Sequence, residues 1–350
     1  MVDLLKSNWF VVVIAIVILS FLGYFIYDMN RYNVSGQKED GQELLASVAD
    51  KNISADSFYE TEQQFDSSLL YQMYKNAVID QSVEDTKDLK EEAKTMENTI
   101  RSNFQSQYGD DYEVYLASEL AKYGYSSENA AYEFSLNSVK EKQMNTEYIK
   151  DNFDKYSQAV EDKSPRSVSI ISMSVADAEN LTEDEQKKKD NIDSEIESES
   201  FASAAKAFSE DTATAGNKGF YGYCDSDDLT SNTYAYYGTG LPSQVAMEAL
   251  DLEKGQTSDW ITVTNNSGST LLYKVHVDQT DLNKLLNSKN EDVRDKVVSK
   301  FLSSNSTLEM ESIEFYASKL DIKFNDSDVQ TKLEDYISSN LSTQGDEADE

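Results

Sequence analysis

The chain has 350 residues, 65 of them acidic against 31 basic, for a formal net charge of −34. An acidic excess of this size argues against a nucleic-acid partner, because phosphates are held by Lys and Arg. It also opposes docking on an anionic lipid surface and is most simply a solubility device. One cysteine, Cys224, forms no internal disulfide, and one Cys with one His, His276, builds no zinc site of the usual kind.

In chain order, residues 1–8 precede an uncharged run, WFVVVIAIVILSFLGYFIY, at 9–27. As a helix rising about 1.5 Å per residue it reaches roughly 28 Å, close to the hydrocarbon thickness of a bilayer. Trp9 and Phe10 at one end, and Tyr24 and Tyr27 at the other, suit the two interfaces. No A-x-A site follows closely to mark a cleaved signal peptide, and no Cys follows to carry a lipid. The run reads as a single-pass membrane anchor. Lys6 and Asp3 on one side nearly balance Arg31 and Lys38 on the other. The orientation therefore rests on layout, with residues 1–8 cytoplasmic and the bulk of the chain extracytoplasmic.

Residues 28–45 are polar with two glycines and read as a linker. From 46 to 163 the pattern is helical. NISADSFYETEQQF offers Ser54 as an N-cap ahead of Phe58 and Phe65, and SSLLYQMYKNAVI repeats apolar residues at Leu69, Leu70, Met73, Ala77 and Val78. Further stripes cover 86–107, 111–123 and 127–156.

Pro165 opens a different texture, and residues 164–280 read as a small α+β domain. RSVSIISMSV alternates as a strand, a charged stretch follows over 176–200, and SFASAAKAFSED is a short helix of small residues. After the turn GNKGFYGY comes a second helix, LPSQVAMEALDLEKGQ, with Pro242 near its start. The strands TSDWITVT and STLLYKVHV close the domain. Helical pattern resumes over 281–338, as a segment expected to pack on 46–163, and the acidic tail 339–350 is expected to be disordered.

This layout resembles the PrsA-like and SurA-like parvulin-type foldases, extracytoplasmic proteins of which the PrsA-like members are Gram-positive. The resemblance covers roughly 46–338 and is carried by the order of NISADSF, SFASAAKAFSED, LPSQVAMEALDLEKGQTSDWI and KLDIKFNDSDVQ. It implies an inserted peptidyl-prolyl isomerase domain flanked by a chaperone lobe built from two discontinuous segments. The family's isomerase site uses a histidine on the first strand and another on the last, an acidic or Cys residue between them, and Met and Phe around the proline ring. Matching motif to motif puts Ile170 and Leu271 at the two histidines, Phe220 at the acidic position, and Gly240 and Gln244 at the ring pocket. His276 lies five positions beyond Leu271, an odd offset that turns a strand residue to the opposite face, and reads as a surface or strand-end residue. A single histidine does not fill a two-histidine site, so no catalytic residue and no cofactor are expected.

Other chemistry is thinner. No G-x-S-x-G elbow is present. CDSDDLTSN groups Asp225, Asp227 and Asp228 but lacks the EF-hand glycine and terminal glutamate. No metal is therefore expected. Tyr59, Tyr71, Tyr74, Tyr112, Tyr115 and Tyr123 are amphipathic side chains suited to grasping apolar segments of unfolded chains, the alternative being core packing. The expected function is a membrane-anchored foldase for newly secreted polypeptides, of the isomerase family but without isomerase activity. Its expected partners are unfolded chains and, through 9–27, the membrane; a homodimer is compatible with it and nucleic acid is not. The rivals are a working isomerase with an altered site and an envelope structural protein.

Overall fold

The computed structural model describes residues 37–39, 42–48, 51–54, 67–229, 240–264 and 268–342. The apolar run at 9–27, read as an anchor, Tyr59 and residues 343–350 lie outside them. Residues 339–342, expected to be disordered, instead complete the helix Ser327–Ser342, because its Leu333 and Ile337 pack into the core. Among the described residues, no helix is long and apolar enough to cross a membrane.

The chain divides into two units, residues 1–68 and 69–350. The first carries three antiparallel strands, β1 (Gln37–Glu39), β2 (Gln42–Val48) and β3 (Lys51–Ser54), in the order β1-β2-β3. Gln37 faces Leu44, and Val48 faces Lys51. These strands replace the linker read to residue 45 and the helix read from 46, and Ser54 ends a strand where it was expected to cap a helix. ELLASV is a short apolar run, and in such a run periodicity does not separate strand from helix; pairing with β1 and β3 decides it.

The second unit opens with α1 (Ser67–Ser82), α2 (Lys87–Tyr108), α3 (Tyr112–Ala121) and α4 (Ala130–Asp151). Thr86 caps α2 by accepting from the Leu89 backbone N–H at 3.2 Å, and Asp88 in the first turn complements the helix dipole. Two short turns, α5 (Phe153–Tyr156) and α6 (Gln158–Glu161), lead to the sheet.

After the sheet come α10 (Leu282–Leu286), α11 (Glu291–Ser304), α12 (Leu308–Ala317) and α13 (Ser327–Ser342). Their apolar faces close onto the earlier helices. Leu285, Val297 and Phe301 pack with Tyr148, Ile149 and Val160; Ile313 and Ala317 pack with Val78, Ile79 and Met144; Leu333 and Ile337 pack with Tyr71. One helical core is thus shared by two stretches far apart in sequence. Each fully buried Leu, Ile or Phe there contributes about 1.5–3 kcal/mol of hydrophobic stabilisation.

Between the two stretches lies a four-stranded antiparallel sheet, β4 (Arg166–Val175), β5 (Phe220–Cys224), β6 (Ile261–Thr264) and β7 (Thr270–Gln279), in the order β5-β4-β7-β6. The central pair sets the register, with Ser169 opposite His276, Ile170 opposite Val275 and Ser174 opposite Leu271. Alternation sends Val168, Ile170, Tyr273, Val275 and Val277 to one face, against Val245, Ala246 and Ala249 of α9 (Ser243–Asp251). Ile171, Met173 and Leu272 go to the other, against Ile192 of α7 (Glu183–Ser198) and Phe201, Ala204 and Ala205 of α8 (Phe201–Phe208).

Candidate functional site

The α9 face of the sheet is where the matched site residues are to be sought. Ile170 is 2% exposed and packed in the core of that face, and Leu271 is half-buried at the margin of the same cluster. They share a face without meeting. Ile170 faces Val275 and Leu271 faces Ser174, so four residues of strand, about 13 Å, separate them. The β4 side chains that accompany Leu271 are Ser172 and Ser174.

Phe220 is not on this face. A register shift between Val168 and Ser169, beside Gly222 with φ +126°, turns the Phe220 ring onto the helical core around Phe301. Such a bulge re-aims side chains that simple alternation would place. Gly240 offers no side chain, and Gln244 is exposed on the first turn of α9. Leu241 and Val245 fill the space behind them.

Of the titratable groups near this face, the sequence names Cys224 and Asp228 for other reasons, and Tyr221 is added by the structure. Burial pushes the Tyr221 hydroxyl up to about 12, with Asp228, Cys224 and Asp211 adding to the rise, while the Leu241 backbone amide bonds to its oxygen. Burial also raises the Cys224 thiol, and Asp228, hydrogen-bonded to it, is raised by burial in turn. All three are held toward their neutral forms, which suits hydrogen bonding. Gly222 was the available sequence signal, because a glycine inside a strand marks a bulge.

Arg166 fixes α9 over the sheet. Buried at the start of β4, it donates through Nη1 to the carbonyls of Leu252, at 3.0 Å, and Ala249, and through Nε to Ser164 O at 3.0 Å. These bonds satisfy carbonyls at the α9 C-terminus that helix geometry leaves open.

His276 sits on the other face. Its Nδ1 shares a 2.8 Å hydrogen bond with Thr257 Oγ1, and its ring stacks on Phe201 with centroids 5.2 Å apart. It is half-buried in mid-strand, where the sequence reading expected a surface or strand-end position. The backbone bridge with Thr257 and the Phe201 ring cover it and make the difference.

The acidic group at 225–228 is tied into protein contacts. Asp225 accepts from Tyr223 Oη at 2.9 Å and pairs with Lys300 at 2.7 Å, and Asp227 pairs with Lys300 and Lys163 at 2.5 and 3.0 Å. The carboxylates clamp β5 to α11.

Of the tyrosines, Tyr71 is 4% exposed and its ring lies tilted against Tyr336, with centroids 5.3 Å apart, so it belongs to the core; packing of α13 on α1 covers it. Tyr74 and Tyr112 are half-buried. Tyr115 and Tyr123 are 51% and 43% exposed, and Tyr115 stacks on Tyr108 at 4.3 Å beside the exposed Val114.

Comparison with known proteins bears on the sheet domain. Residues 170–273 match the family model of the rotamase, PPIC-type PPIASE domain. No curated protein matches the chain. Among solved structures it is similar to the foldase protein PrsA from Streptococcus pneumoniae str. Canada MDR_19A, at 20% identity and a TM-score of 0.38, over 82% of this chain and 97% of that one. It is likewise similar to PrsA from Bacillus subtilis, at 17% identity and a TM-score of 0.38, over 84% and 98%. The foldase protein PrsA from Lactococcus lactis matches at 18% identity and a TM-score of 0.31, over 83% and 97%. The family-model match spans most of the sheet domain and makes that domain similar to the PPIC-type, or parvulin, domain.

Proposed function

We propose that this chain is a membrane-anchored, extracytoplasmic foldase that holds newly secreted polypeptides, its parvulin domain having lost isomerase chemistry. The observation that carries this reading is the place of the single histidine. It lies across the sheet from Leu271, and the α9 face keeps Ile170, Leu271 and neutral Tyr221 and Cys224. X–Pro rotation has an uncatalysed barrier of about 18–20 kcal/mol. The α9 face offers no imidazole, and Gly240 and Gln244 stand at the positions matched to the ring clamp. Binding falls to the helical lobe, where Tyr108, Val114, Tyr115 and Tyr123 present apolar surface. The run at 9–27 supplies the anchor.

The test is a proline-limited refolding assay with residues 28–350. No acceleration is expected at substoichiometric protein, against an uncatalysed phase of tens of seconds or more. Aggregation of an unfolded client should be suppressed near one-to-one, and His276→Ala should change neither result. Catalysis abolished by His276→Ala would identify an active isomerase with a different site.

A further inference from the structure

A cavity of about 420 Å³ opens on the sheet face opposite α9. Ser169, Phe201, Thr257, His276 and Asp278 line it, together with Ile196. Strand register assembles its polar wall: Ser169 of β4 stands opposite His276 of β7, and Asp278, two residues on, projects to the same side. His276 Nδ1 is engaged by Thr257, and Ser169 Oγ donates to Asp278 Oδ2 at 2.9 Å.

That single bond leaves most of the Asp278 carboxylate's acceptor capacity open. The charged or titratable group nearest it is His276, and among the described residues no lysine or arginine pairs with it. Burial holds its carboxyl above the usual range. A half-buried carboxylate without a counter-charge is costly, and a cation relieves that cost. The adjoining wall, Phe201 and Ile196, is apolar. A carboxylate at one end and an apolar wall beside it match a charged head on a methylene stem.

We propose that this cavity binds one lysine or arginine side chain, its ammonium or guanidinium at Asp278 and Ser169 and its methylenes along Phe201. The volume is that of a small-ligand pocket, and a chain of net charge −34 concentrates cations around itself. The source is either an extended polypeptide or a free amino acid. The site shares no residue with the exposed tyrosines of the helical lobe, so its failure leaves the foldase reading standing.

The only histidine in the chain is a built-in reporter. Full-length protein in detergent, labelled at histidine, gives one imidazole signal to follow by NMR. Titration with acetyl-Gly-Lys-Gly-amide and its arginine counterpart should move that signal to saturation, whereas the norleucine counterpart should not. Free arginine moving it as effectively assigns the site to free amino acids, and movement by the peptides alone assigns it to polypeptides. Asp278→Asn should weaken binding by about tenfold or more, the worth of a charged hydrogen bond. Ser169→Ala keeps the carboxylate and should weaken it less; this variant decides the matter if Asp278→Asn does not fold. No shift with either cation, or an equal shift with norleucine, overturns the proposal.

Discussion

Gly219 shows how one residue fixes the sheet domain. It carries φ +83°, donates to Thr214 O at 2.9 Å, and accepts from the Ile170 backbone N–H at 2.7 Å. A Cβ there would stand 2.7 Å from both Ala205 Cβ and Ile170 O, one on α8 and one on β4. Neither gives way readily, since one is packed in the core and the other is strand backbone. Gly219→Ala should therefore cost more than about 2 kcal/mol, combining a strained backbone with overpacking. Urea unfolding measures it, and a cost under 0.5 kcal/mol, within the range of neutral surface changes, would contradict the clash. Tyr71 carries the complementary lesson. As a sequence element it is one more amphipathic tyrosine; Leu333, Ile337 and Tyr336 of α13 make it core.

At the scale of elements, α1, the connection leading into α2, and α4 are joined by a lysine. Lys140 of α4 is buried and pairs with Asp85 at 2.5 Å and Asp80 at 2.9 Å. The Lys140 hydrogen bond holds the Asp85 carboxyl below its usual range, with Lys90 adding to it. A carboxylate depressed in the folded state stabilises above its unfolded pKa, near 4, and loses that contribution as pH falls through its folded value. Asp85→Asn should accordingly lower stability at pH 7 and make little difference at pH 2. Denaturant titrations at the two pH values check this, and an equal loss at both would show that the pair acts by packing alone. Glu97, which Lys94 and Arg101 hold down against its own burial, shares the acid limb. Burial raises Glu314, which works in the opposite sense and loses stability as pH rises.

For the whole molecule, the helical core is built from residues on both sides of the sheet domain, as Val78, Met144 and Ile313 in one cluster illustrate. The ends of the inserted stretch are tied together, since Ser167 at the start of β4 faces Gln279 at the end of β7. Replacing 165–280 by a short Gly/Ser linker should leave a helical protein that unfolds cooperatively, followed by circular dichroism. A non-cooperative melt would mean that the Asp225–Lys300 clamp and Phe220 packing are required for the lobe to fold. Topology is checked separately. Protease outside spheroplasts should digest the chain beyond Tyr27, and protection of the full 39.4 kDa would reverse the orientation drawn from its layout.

The local signals in RSVSIISMSV and STLLYKVHV are period-two alternations, and they mark strands before any pairing is known. Composition alone excludes a two-histidine site, because one histidine is a count and not a geometry. The odd offset between Leu271 and His276 likewise separates their faces in any strand. Register is another matter. That Ile170 faces Val275, four residues along β7 from Leu271, depends on how β4 slides along β7. That Phe220 leaves the α9 face depends on a bulge, and that 42–48 and 51–54 are strands depends on their pairing with each other and with β1. Each of these is set by hydrogen bonds and packing between segments distant in the chain or ambiguous in themselves. Local pattern carries the period of an element but not its partner, and the partner decides which side chains share a site.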